Sequence, residues 1–246
     1  MSSTNHNSSA KAILYAFIAN LGIAIAKLGA AFYTGSGSLL AESIHSFADC
    51  GNQVLLFIGL KQADKPADEK HPLGYGKIIY FWSFIVAILL FSMGGLYSIY
   101  EGWHKLHNPE VLKHVWVALL VLAFGVVLES FSLLGALKEI KKIRKGKTLS
   151  TWFKNTRNAE LVVILGEDTG AILGLIIAFV FVLISGITGD PVYDALGSIS
   201  IGVILIIISI FIGWRIKALI IGRSAEPDLV ELIDSIIKED DSIEKL

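Results

Sequence analysis

The chain has 246 residues, 54% of them apolar and 17% charged, with a mean hydropathy of +0.65. A water-soluble domain of this length carries roughly 25% charged residues, so the composition excludes an ordinary soluble enzyme. A net charge of −1 excludes a nucleic-acid binder working through a broad basic surface. The single cysteine, Cys50, excludes an internal disulfide framework and is expected to be a packing residue. What remains is an all-α integral membrane protein.

Residues 1–10 are polar, lack a signal-peptide pattern and are expected to form a disordered tail. Six apolar segments follow, each long enough to cross about 30 Å of hydrocarbon as a helix: Lys11 to Tyr33, Leu39 to Leu60, Lys77 to Tyr100, Lys113 to Leu137, Glu160 to Ser185 and Pro191 to Trp214. They predict one transmembrane domain over residues 11–222. Its second connection carries Lys61, Lys65, Lys70 and Lys77, and its fourth carries eight basic residues between Lys138 and Arg157, among them Lys145. Arg215, Lys217 and Arg223 follow the sixth segment, whereas the first and fifth connections have no Lys or Arg. The positive-inside rule then places both termini in the cytoplasm. Residues 223–246 predict a short amphipathic cytoplasmic helix, starting near Pro227, with Leu229, Leu232, Ile233, Ile236 and Ile237 at helical spacing.

A charge at mid-membrane costs roughly 2.5–3.5 kcal/mol on insertion scales, so each one needs a reason. On the second segment Glu42, His45, Asp49, Asn52 and Gln53 recur at three- and four-residue steps and form one polar stripe. His45 and Asp49, four apart, can either hold a divalent ion or hydrogen-bond a neighbouring helix. On the fifth segment Gly166, Gly170 and Gly174 make a ridge for close helix approach. Asp168 points away from the ridge and Glu167 lies at its edge, with reach enough to swing toward an ion. Asn20 and Lys27 share one face of the first segment, and Lys27 is expected to snorkel toward the far interface. Glu129, deep in the fourth, can pair with Lys27, carry a proton or hydrogen-bond; Asp194, near the far end of the sixth, is expected to be hydrated.

At these residues the chain resembles the cation diffusion facilitator family of divalent-metal transporters, closest to its zinc transporter nine-like branch. Gly35 to Asp49, His71 to Lys77 and the Asp168 neighbourhood ending in Gly174 carry the likeness. The resemblance implies a six-helix fold, a homodimer, and export of a divalent metal, zinc foremost, in exchange for protons by alternating access. It implies no enzyme activity and no cofactor beyond the metal as substrate. It also implies a cell (inner) membrane, or an organelle membrane in a eukaryote. His45, Asp49 and Asp168 match the family's metal ligands, with Glu167 a candidate fourth, because Ile164 stands where a second histidine or aspartate is usual. Asp68 and His71 match part of a second metal-binding loop in which Tyr75 replaces a histidine, so that site is expected to be weak or absent. The family's cytoplasmic domain of helix and strand is matched only by what looks like its first helix. The alternatives are another metal (manganese, iron, cobalt or cadmium) and a membrane scaffold whose polar stripe is structural.

Overall fold

The computed structural model describes residues 3–144, 146–222 and 227–238, with side chains from Phe17 onward apart from Ala19, Pro227 and Asp228. Lys145, Arg223 and the outer parts of both expected tails therefore lie outside the described residues. Every described element is helical: α1 Ser3–Thr34, α2 Gly37–Ala63, α3 Ile78–Leu89, a π segment Leu90–Leu96, α4 Tyr97–His107, α5 Val115–Ile143, α6 Leu149–Asn155, α7 Ala159–Thr188, α8 Val192–Ile221 and α9 Pro227–Lys238. A helix thus stands at each of the six apolar segments. Residues 3–10, expected as a disordered tail, instead continue α1. A helix nucleated by the apolar stretch behind them extends at the cost of one fixed residue per added hydrogen bond. The seven-residue α6, absent from the sequence expectation, divides the basic loop, and Thr148 caps it by accepting from the Thr151 N–H.

Four rods, Ile78–His107, Val115–Ile143, Ala159–Thr188 and Val192–Ile221, are long and apolar enough to cross a membrane. In α2 the polar stripe dilutes an otherwise apolar helix of 27 residues. On α5, Trp116, Leu120, Phe124, Val127, Phe131 and Leu134 project outward at three- and four-residue steps, all more than half exposed. An apolar face of that length is far too large for water and fits lipid. Inward, α2 is the central element, packed against α1, α3, α7 and α8, while α7 packs on α5 and α8. Leu39, Leu90, Leu122, Leu175, Ile201 and Leu205 form the dry core between them.

Small residues set the closest approaches. On α7, Gly166 and Gly170 face Ile212, Ile208 and Leu205 of α8, as the glycine ridge predicted. Gly95 and Gly102 let the Ile78–His107 rod lie against the backbone of α8 at Gly202 and Ala195. The α1–α2 corner is made by Gly35 at φ +73°, which closes α1 with a hydrogen bond to the Ala31 carbonyl. Ser36 then caps α2 by accepting from Leu39 N–H.

That corner is where one expectation fails. Asp194, expected to be hydrated, is 1% exposed. Its carboxylate accepts from the Ser36 hydroxyl at 2.7 Å and from the N–H groups of Gly37 and Ser38, and Lys105 lies 3.8 Å away. Unpaired donors and the dipole at a helix start attract an anion, so α8 supplies the acid that α2 lacks. Lys27 also departs from expectation. Rather than snorkelling it is 1% exposed, donating to Ser46 Oγ at 2.7 Å and lying 3.5 Å from Glu42. With a buried acid and hydroxyl in reach, the ammonium gains more inside than at a distant interface.

Candidate metal site

The polar stripe of α2 faces α1, α5 and α7 across a cavity of about 300 Å³. Asp49 enters it from α2, Glu129 from α5, Glu167 and Asp168 from α7, and Asn20 from α1. Among the described residues, no basic side chain lines it. Leu56, Phe57 and Leu60 extend the lining along the last turns of α2, toward the basic loop. The structure therefore gathers three of the four predicted ligands, together with Glu129 and Asn20 from the predicted coupling group. Lys27 is not among the lining residues, and its acid partner is Glu42 rather than Glu129.

Each of the two α7 carboxylates in the cavity has a hydrogen-bonded neighbour. Asn52 Nδ2 donates to Glu167 Oε1, and Ser132 Oγ donates to Asp168 Oδ2 at 3.1 Å. The adjacent pair Glu167–Asp168 both line the cavity, although neighbouring side chains point about 100° apart, and the longer Glu167 reaches Asn52 of α2. Ile164, one turn before Asp168, supplies an apolar wall at the position that lacks a ligand.

His45 stands behind this cavity. It is wholly buried, and both its ring nitrogens lack a hydrogen-bond partner. Its Nδ1 lies 3.6 Å from Asp49 Oδ1, beyond hydrogen-bonding range. Gly94, inside the π segment, lies beside Nδ1: a Cβ there would meet it at an ordinary contact distance of 3.6 Å, and Leu205 more tightly at 3.2 Å. Such insertions in helices recur at functional sites. Among the described residues no three His, Cys, Asp or Glu side chains converge closely enough to hold an ion as they stand.

Sequence reasoning did not single out Ser46 or Ser132. Ser132 follows Glu129 by three residues on α5, and that spacing was the available signal. Away from the membrane core, Asp68 and His71 sit together in the exposed loop, Asp68 Oδ1 lying 3.3 Å from His71 Nδ1. Asp68 also accepts from the Tyr75 hydroxyl at 2.7 Å and the His71 N–H at 2.7 Å. The Tyr75 hydroxyl first, then the His71 N–H, hold its carboxyl below the usual range, and Asp68 in turn pushes the Tyr75 phenol up. Cys50 is buried as expected.

A helical bundle with several helices long and apolar enough to cross a membrane defines a multi-pass integral membrane protein, and its helices enclose a carboxylate-lined cavity. The chain belongs to the cation diffusion facilitator family: residues 13–219 match the cation efflux transmembrane domain. It is 36% identical over 219 residues to the proton-coupled zinc antiporter SLC30A9, mitochondrial, of Xenopus laevis, covering 88% of this chain and 39% of that protein. It is 30% identical over 244 residues to metal tolerance protein C4 of Arabidopsis thaliana, covering 98% and 53%. It is 25% identical over 227 residues to magnetosome protein MamB of Magnetospira sp. (strain QH-2), covering 92% and 72%. The chain thus spans about two-fifths of the antiporter's length and about half that of the tolerance protein. The first relative is named as a transporter and the family for cation efflux; neither name is that of an enzyme, in keeping with the sequence expectation.

Proposed function

We propose that the chain carries a divalent metal cation, zinc foremost, out of the cytoplasm in exchange for protons, by alternating access in a homodimer with six spans and cytoplasmic termini. The observation that carries this reading is one cavity lined by Asp49, Glu129, Glu167 and Asp168 with, among the described residues, no basic side chain in its lining. Four carboxylates held together in a low-dielectric setting are costly unless they share protons or a cation. The zinc and proton named for the relative at 36% identity agree with that chemistry.

In this reading Asp49 and Asp168 bind the ion from opposite helices, and His45 joins when α2 rolls toward the cavity. Glu167 fills the place that Ile164 leaves without a donor. Asn52 and Ser132 orient the two acids of α7. Ligands bind metal only when deprotonated, so protons arriving from the far side compete for the same oxygens and displace the ion. The lining extends toward the Ala63 end of α2 while Asp194 pins the opposite end to α8, an arrangement that fits a state facing the cytoplasm. A second reading, manganese as cargo, is favoured by the surplus of carboxylates over imidazole in the cavity.

The test is flux into proteoliposomes containing a zinc-sensitive dye under an imposed pH gradient. Flux should follow the gradient and vanish in the combined variant His45→Ala, Asp49→Ala, Asp168→Ala. Flux indifferent to the gradient would sink the exchange, and flux surviving in the triple variant would remove the site.

A further inference from the structure

Glu42 has no part in the cavity, yet it is among the most deeply buried charged groups in the protein. It is fully shielded on α2, three residues before His45 and therefore on the same face. Neither of its carboxylate oxygens makes a hydrogen bond. Lys27 Nζ lies 3.5 Å from Oε2 but gives its closest hydrogen bond, 2.7 Å, to Ser46. The other oxygen, Oε1, occupies the space that a Cβ on Gly174 of α7 would fill. Gly125 of α5 borders the Lys27 stem, a Cβ there lying 3.4 Å from Lys27 Cε. Next to it stands His45 with two unpartnered nitrogens. A carboxylate so poorly satisfied in a dry interior is an expensive arrangement, and an ion pair formed at 3.5 Å without hydrogen bonds offsets little of the cost.

We propose that Glu42, together with His45, forms a second cation station beyond the Asp49 site, with Glu42 two helical turns from Asp49 toward the N-terminal end of α2, and that Lys27 is its built-in competitor. The inference rests on the transport reading and deepens it. Asp49, His45 and Glu42 then make a file along one face of α2, which an ion passes by exchanging carboxylates across the imidazole. Between ions the Lys27 ammonium neutralises Glu42. When a divalent ion arrives, Lys27 leaves Glu42 while keeping its hydrogen bond to Ser46, and its nearby charge keeps the ion from binding too tightly to leave. Gly174 on α7 leaves the space that the Glu42 carboxylate occupies.

The experiment uses the full chain in two formats. In zinc flux assays Glu42→Gln should slow transport roughly tenfold, the size of a lost ligand-supporting contact. Glu42→Cys should raise the ratio of cadmium to zinc flux several-fold, since a thiolate favours the softer ion. A purely structural Glu42–Lys27 pair would scale both metals equally, so an unchanged ratio overturns the station. In thermal unfolding of purified protein at a fixed zinc concentration, Lys27→Met should show a larger zinc-induced rise in Tm than wild type, because the competitor is gone. The charge-neutral double variant Lys27→Met, Glu42→Gln should lose that increment. Equal zinc shifts in wild type, Lys27→Met and the double variant overturn the proposal. A wild type that carries no zinc overturns the transport reading and the station with it. Wild-type flux with an unchanged cadmium-to-zinc ratio in Glu42→Cys overturns the station alone.

Discussion

Asp194 of α8 and Ser36 at the start of α2 are joined by a buried hydrogen bond of 2.7 Å, and through it the helix that carries His45 and Asp49 is anchored to α8 at its N-terminal end. The same carboxylate takes the first two N–H groups of α2 and faces Lys105. Asp194→Ala should therefore remove a helix cap and leave buried donors unmet, at a cost of about 2–3 kcal/mol. Thermal unfolding in detergent would read this as a lower Tm. An unchanged Tm would show that the anchor contributes nothing to the fold.

Ile164 lines the cavity one turn before Asp168. Replacing it with histidine places an imidazole across from Asp49 and completes a set of nitrogen and oxygen donors suited to zinc. Ile164→His should tighten zinc binding about tenfold or more and tighten manganese binding less. Equilibrium titration of both metals against purified protein checks this; equal gains for the two would show that the imidazole does not enter the coordination sphere.

A Cβ on Gly174 would enter the space held by the Glu42 carboxylate. The tip of a glutamate can swing aside, and alanine gains up to about 1 kcal/mol of helix propensity over glycine. Gly174→Ala should accordingly leave Tm within a degree or two of wild type, about 0.5 kcal/mol either way, while zinc flux falls as it does in Glu42→Gln. Unchanged flux would show that the position of the carboxylate does not matter.

The exposed loop offers a pH test separate from transport. Tyr75 and the His71 N–H hold the Asp68 carboxyl below its usual range. A group whose pKa is depressed on folding stabilises the fold above its unfolded value, about 3.9 for aspartate, and that contribution disappears as pH falls through the depressed one. Loop order should persist at neutral pH and fade below about pH 4. In Tyr75→Phe the Asp68 titration should move up toward the ordinary value, with the loss of order following it. NMR titration of the carboxyl carbon measures both shifts; an Asp68 titration unmoved by Tyr75→Phe would rule out the hydroxyl as the main cause.

Much of the site was legible in the stripe of α2, because an ionisable side chain in an apolar run is conspicuous and its helical period shows which residues share a face. The glycine ridge of α7 and the pairing of Asp168 with the stripe were legible for the same reason. What stayed hidden were partners brought together from distant segments. Nothing local tells that Lys27 meets Glu42 and Ser46 instead of the interface, or that Asp194 caps a helix 156 to 158 residues away in sequence. A lone charge was read as wet because water is its usual partner, and only the packed bundle supplies another. The π segment was not read either: Leu90–Leu96 carries no Pro, and its Gly94–Gly95 pair, the one local signal, lies in an apolar run that otherwise reads as continuous helix.

That segment has a mechanical consequence. At its end the Tyr97 N–H reaches back five residues to the Ser92 carbonyl, so one residue too many is packed into the turn. The surplus turns everything above it by about 100° relative to an uninterrupted rod. Sliding the surplus along by one position swivels the side chains it passes while both ends stay where they are. Gly94 and Gly95, pressed respectively toward His45 and α8, lie within the stretch that would turn. The rod thus contains its own bearing, set at the depth of the buried imidazole.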